Sequence, residues 1–168
     1  MKIRTDREEC RVVVDTREQT PWNLEPLQVG RGTLPTGDYG LLDFPEAISI
    51  ERKELSDFIG VIGHGRERFE RELMRLKAYD ASMVIVEASW QDLEAGEWRS
   101  KIQPNVVLQS IASWVSQGHN IILAGDRQMA ERIARSALFF AYRRKVEPIK
   151  RILKQQMKDQ GKKIVSKD

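Results

Sequence analysis

The chain of 168 residues carries 28 Lys and Arg against 25 Asp and Glu, a formal charge of +3, and is 40% hydrophobic. That length and apolar share suit one domain with a real core, and so small a net charge means that any surface for a polyanion must come from uneven distribution. No apolar run approaches the roughly 18 residues of a membrane span, the start Met1–Glu9 is too charged for a signal peptide, and the single Cys10 excludes an internal disulfide and suits a reducing, cytoplasmic setting.

Residues 1–10 read as an N-terminal extension. Arg11–Asp15 is predicted as a buried strand, three valines closed by Asp15, with Thr16, Arg17 and Glu18 following. Gln19–Arg31 reads as a connection with Pro21, Pro26 and Gly30. Within it Trp22 is expected to fold back onto the core, Leu27–Val29 to form a short strand, and Gly30–Gly32 to turn. Leu34–Gly40 is extended, and Gly37 lets the backbone come close. Ala47–Lys53 is a strand that ends in charge. Side chains alternate along a strand, so Ile48 and Ile50 share one face while Ser49, Glu51 and Lys53 share the other. The short turn containing Pro45 predicts a hairpin that brings Asp38 beside Glu51.

After Lys53 the period becomes helical, with Leu55, Phe58, Ile59 and Ile62 on one face. Ser56 and Asp57 fall in the first turn, where Asp57 either caps the helix or faces the strand end. Gly60–Gly65 is a glycine-rich break without the lysine and strand context of a phosphate loop, and His64 reads as a loop histidine. Arg66–Tyr79 is a helix with Phe69, Leu73 and Leu76 inward and mixed charges outward. Ser82–Glu87 is a buried strand with a polar end, Ser89–Glu94 a capped helical turn, Pro104–Gln117 a helix and His119–Ala124 a last buried strand. Asp126 caps a helix to about Tyr142, whose apolar end (Leu138, Phe139, Phe140, Tyr142) serves the core or an interface. From Arg143 onward ten basic residues stand against three acidic ones. Residues 146–168, set off by Pro148, read as a basic helix or tail suited to a phosphate backbone.

Two carboxylates and a lysine at one strand end have a plain chemical use. Carboxylate oxygens suit hard divalent cations such as Mg2+ or Mn2+, which polarise a phosphoryl oxygen and acidify a bound water. A lysine beside them orients that water or offsets charge growing on the phosphate.

The same residues carry a resemblance. Gly37-Asp38, a spacer, Glu51-Arg52-Lys53, three residues and Asp57 resemble the G-D-x(n)-E-R-K-x-x-x-D pattern of XPF-type structure-specific endonucleases. Val12–Glu18 resembles the strand and D-x-R-E segment that opens those nuclease domains, and Gly65-Arg66 and Val84–Glu87 follow in order and spacing. The resemblance covers roughly residues 12–145. It implies a three-layer α/β/α nuclease domain at 11–145, with a central mixed sheet of the restriction-endonuclease type. It further implies Asp15, Asp38, Glu51 and Lys53 as catalytic residues, the three acids holding Mg2+ or Mn2+, and Arg17, Glu18, Arg52, Asp57 and Arg66 as supporting or substrate-binding residues. The implied activity is cleavage of branched or flapped duplex DNA in repair, recombination or phage DNA processing, with the 126–142 helix pairing two identical or different chains. The tandem helix-hairpin-helix module of many such nucleases has no counterpart in the tail, and a partner chain could supply that grip. The competing readings are a non-cleaving subunit of a nuclease heterodimer and a sequence-specific restriction-type enzyme.

Overall fold

The computed structural model describes residues 6–165, with side chains as far as Lys158. The described strands form one sheet in the order β2-β1-β3-β4-β5-β6. They are β1 (Arg11–Asp15), β2 (Gln28–Gly32), β3 (Tyr39–Leu41), β4 (Ser49–Glu54), β5 (Ser82–Glu87) and β6 (Ile121–Leu123). Every pairing is parallel except those of β3, which runs against both β1 and β4. The start of β3 therefore lies at the rim where β1, β4 and β5 end.

Helices cover both faces, as the alternation in the strands requires. On one face Ala130, Ala134 and Leu138 of α5 (Arg127–Val165) pack on Val12, Val14, Ile48, Ile50 and Ile85. The two alanines, four apart, let the helix lie close to the sheet. On the other face lie α1 (Leu55–Gly63), α2 (Arg66–Leu76), α3 (Trp90–Ala95) and α4 (Pro104–Ser116), whose Phe58, Ile62, Phe69, Leu73, Val107 and Trp114 meet Val84 and Val86. Each such fully buried large side chain contributes roughly 1.5–3 kcal/mol. The expected three-layer α/β/α architecture with a mixed sheet is what the chain adopts. Local expectations also hold: Trp22 is buried and stacks on Tyr39 with ring centroids 4.7 Å apart. Ser89 and Asp92 form a capping box, and Asp126 Oδ1 accepts the Met129 N–H at 2.7 Å.

Four expectations need correction. Gly60–Gly63 is not part of a break but the last turn of α1, and the chain leaves that helix only at His64. Gly30–Gly32 is not a turn but the second half of an edge strand paired with Val13–Asp15. A Cβ on Gly32 would lie 2.9 Å from Val13 Cγ1, so the glycine answers to close packing. The strand at β6 is half-buried, not buried. And α5 does not stop near Tyr142; it continues through Pro148. A proline there removes one helical N–H, but ion pairs one turn apart hold the helix on either side. Arg143 Nε donates to Glu147 Oε1 at 2.8 Å, and Arg151 lies 3.9 Å from Glu147. Lys150 also reaches Glu9 at 2.6 Å. The apolar end of 126–142 divides: Leu138, Phe139, Ala141 and Tyr142 are buried, while Phe140 faces out. Of the basic tail, Lys167 and Asp168 and the side chains of Asp159, Lys162 and Lys163 lie outside the described residues.

Candidate active site

The register of β3 and β4 builds the site. Tyr39 pairs with Ile50 and Gly40 with Ser49, so Asp38, one residue earlier, stands opposite Glu51. Tyr39, Ile48 and Ile50 belong to the core beneath α5, which leaves Asp38, Glu51 and Lys53 on the opposite face. Lys53 Nζ donates to Glu51 Oε1 and sits 5.6 Å from the centroid of the Phe69 ring. The position of Asp38 is fixed by three bonds. Its N–H donates to Ile50 O at 2.8 Å, its carbonyl accepts the Asp15 N–H at 2.8 Å, and its Oδ2 accepts the Arg52 N–H at 2.8 Å. Gly37 just before it has φ 75°, where a side chain would strain the backbone and collide with Ser49 Oγ.

Electrostatics set this cluster apart. Burial lifts the Asp38 carboxyl to about 6, against the pull of the Arg52 N–H and Lys53. Burial lifts Glu51 further, to about 8, because repulsion from Asp38 and Glu72 adds to it and one ammonium does not offset both. For Lys53 burial opposes the charge, yet attraction to Glu51, Glu72 and Asp38 outweighs it and the net direction is up. The cluster thus concentrates carboxylates around one lysine and favours a further positive charge.

The other expected residues divide. Asp15 Oδ1 accepts the Arg17 N–H at 2.9 Å and Arg17 Nε at 2.6 Å, and Oδ2 accepts Arg17 Nη2 at 3.1 Å and the Leu34 N–H at 2.7 Å. These bonds, Arg17 foremost, hold its carboxyl at about 2. With both oxygens engaged, Asp15 anchors the loop. Arg17, tied to Asp15 and to Leu34 O, leaves its guanidinium largely exposed. Arg52 points the other way along β4. It is buried and reaches Glu87 at 2.8 Å, Glu54 at 2.7 Å and Glu18 at 3.3 Å. Glu18 is accordingly part of this network beneath the site, as is Glu87, which also accepts Trp22 Nε1 at 2.6 Å. Asp57 is exposed in the first turn of α1, and no hydrogen bond or ion pair engages it among the described residues. Arg66 is not brought to the cluster. Its guanidinium is taken up by Glu70 and Ser110, each at 2.9 Å, and lies over Trp114.

One residue acting on the cluster escaped the sequence reading. Glu72 of α2 acts on Asp38, Glu51 and Lys53 together. Arg68, one turn earlier on the same side of α2, is exposed and has no partner among the described residues. The available signal was Phe69, since a residue three beyond an inward aromatic shares its side of a helix.

Residues 14–134 match the ERCC4 domain. The chain belongs to the ERCC4 domain family. Among solved structures, this ERCC4 domain is similar to XPF from Aeropyrum pernix, with a TM-score of 0.64 and 25% identity over 78% of this chain and 61% of that one. It is equally similar to XPF from Aeropyrum pernix in complex with DNA, at a TM-score of 0.64 and 25% identity over 80% of this chain and 66% of that one. The chain thus spans less than two thirds of the length of either. No curated protein matches it. The shared architecture is the XPF nuclease fold, of the restriction-endonuclease type.

Proposed function

We propose that this ERCC4 domain is a Mg2+- or Mn2+-dependent DNA endonuclease that hydrolyses phosphodiester bonds, with branched or flapped duplex as its substrate. One observation carries the reading: Asp38 faces Glu51 across an antiparallel pair, with Lys53 on the same face two residues on. Among the described residues no three His, Cys, Asp or Glu side chains gather as a complete metal cage. Magnesium sites commonly need only one or two carboxylates, with waters and substrate phosphates completing the shell. Burial first, and repulsion from neighbouring carboxylates second, raise the pKa values of Asp38 and Glu51, and a bound cation would offset both effects. Asp38 and Glu51 would therefore hold it. When bound, it polarises the scissile phosphate and acidifies a water.

The chain's own residues do the rest. Lys53, kept protonated by its acidic neighbours, orients the attacking water or offsets charge growing on the phosphate oxygens. Arg17 and Arg68 offer exposed guanidinium groups to flanking phosphates, which position the strand without reading sequence. Asp15 and Arg52 hold the frame. Pairing with a second chain would use Phe140 and the exposed Ile149, Ile152, Leu153 and Met157 of α5.

The test is a nicking assay over a panel of branched and linear DNAs, with and without divalent metal. Metal-dependent nicking of branched DNA is expected, together with a loss of at least about 100-fold in Lys53→Met at unchanged DNA affinity. Binding without nicking would assign the chain the role of a non-cleaving partner. Equal cleavage of linear DNA at one sequence would assign it a restriction-type activity.

A further inference from the structure

A groove of about 1090 Å³ runs along the outer side of α1, between that helix and the connection from α3 to α4. Its two walls differ in chemistry. The α1 wall carries Leu55, Ser56, Ile59, Gly60 and Gly63; a Cβ placed on Gly60 would meet nothing within 4 Å, whereas one on Gly63 would lie 3.0 Å from Ile102 Cδ1 of the facing wall. The opposite wall carries Arg99 and Lys101, both exposed and neither engaged by a side-chain hydrogen bond or ion pair among the described residues. Glu97 is the only acidic residue in the lining, and His64 closes the far end. The cationic wall is held in shape from within, since Trp98 Nε1 donates to Ile102 O at 2.9 Å. The near end opens at Leu55, two residues beyond Lys53.

We propose that this groove is a track for one sugar–phosphate strand of the DNA substrate, leading to Lys53. The proposal rests on the endonuclease reading and extends it to a second contact surface. The open surface at Gly60 lets a bulky backbone approach closely, and two unpaired cations opposite it supply phosphate contacts that fix position without reading bases. Leu55, Ile59, Trp98 and Ile102 give the groove an apolar floor beneath the two cations, but none of them is among the exposed large hydrophobic residues of the described chain that would anchor a protein partner. Nine helical residues at about 1.5 Å each give a track of roughly 13 Å, the length of three or four nucleotides at about 3.4 Å each.

The experiment measures the affinity of a fluorescent three-way-branched DNA for the full chain, without divalent metal, across a salt series. Two variants are compared with the unaltered protein: Arg99→Ala/Lys101→Ala, and Gly60→Gln, which fills the groove without changing charge. The double variant is expected to lose about tenfold in affinity at low salt. The slope of log K against log salt should fall by about 1.8 for two lost phosphate contacts. Gly60→Gln is expected to lose affinity with the helix intact by circular dichroism. Nicking at saturating DNA should be unchanged in both, because neither site touches the scissile phosphate. Native-like affinity and salt slope in both variants would overturn the track and leave the endonuclease reading standing. Failure of the unaltered protein to bind or nick any DNA would remove both.

Discussion

Arg52 Nε meets Glu87 Oε1 at 2.8 Å across the parallel pair β4 and β5, on the face of the sheet turned away from Glu51 and Lys53. Its Nη atoms reach Glu18, Glu54 and Thr20 as well. One buried guanidinium therefore ties the loop after β1 to the ends of two strands, directly beneath the acid pair. Arg52→Met strands Glu18 and Glu87 without their cation. A loss of about 3–5 kcal/mol is expected, measured by urea unfolding. Arg52→Lys should recover little of it, because a single ammonium cannot span three carboxylates in one plane.

Glu51 and Asp38 should behave in the opposite sense. Their folded pKa values lie above the unfolded ones, so the ionised forms destabilise the fold at every pH above the ordinary carboxylate range. In metal-free buffer at pH 8, Glu51→Gln and Asp38→Asn are expected to raise Tm, each kcal/mol gained adding about 2–4 °C in a domain of this size. The gain should vanish near pH 4, where both groups are already neutral. Cleavage should be lost in both variants. A lower Tm at pH 8 would contradict the crowding of negative charge at this rim.

Acid stability tests the anchor at Asp15. Its folded pKa of about 2 lies below the unfolded value. The pair with Arg17 thus stabilises fully above about pH 4, and the contribution is lost as pH falls through about 2. It amounts to no more than about 2 kcal/mol, reduced because the Arg17 guanidinium is largely in water. Arg17→Ala should lower stability at pH 6 and flatten the decline between pH 4 and 2, followed by chemical unfolding at each pH.

Gly37→Ala probes the entry to β3. With φ at 75° and the added methyl 3.1 Å from Ile50 O, a cost of about 1–3 kcal/mol is expected. Because Asp38 follows directly, nicking should fall by more than the lost stability explains when assayed well below Tm.

The sequence made the acid pair legible because a short hairpin with strict alternation leaves few registers, and the one that buries Ile48 and Ile50 sets Asp38 against Glu51. The layers were legible for the same reason, from the apolar spacing of α1, α4 and α5. What it concealed was nonlocal. Gly30–Gly32 looks like a turn until Val13 is laid alongside it. Whether Arg66 or Arg68 attends the site depends on how α2 is rotated over the sheet, and Arg66 is drawn off by Ser110 and Trp114 from a helix forty residues away in the chain. That Asp15 holds Arg17 and the Leu34 N–H is a matter of loop shape, which the sequence does not display. Pro148 misleads as a stop signal, since propensity is weaker than the contacts that flank it.

The reversal of β3 has a mechanical consequence. Because a strand beginning and a strand ending meet at one rim, both acids hang on hydrogen-bonded backbone, Asp38 between Ile50 and Asp15 and Glu51 in the pairing of β4 with β5. On the proposed endonuclease reading such a site would be an anvil that does not fold around its substrate: a duplex would have to bring its scissile linkage down to it, which would favour DNA that already bends or forks over DNA that is straight and stiff.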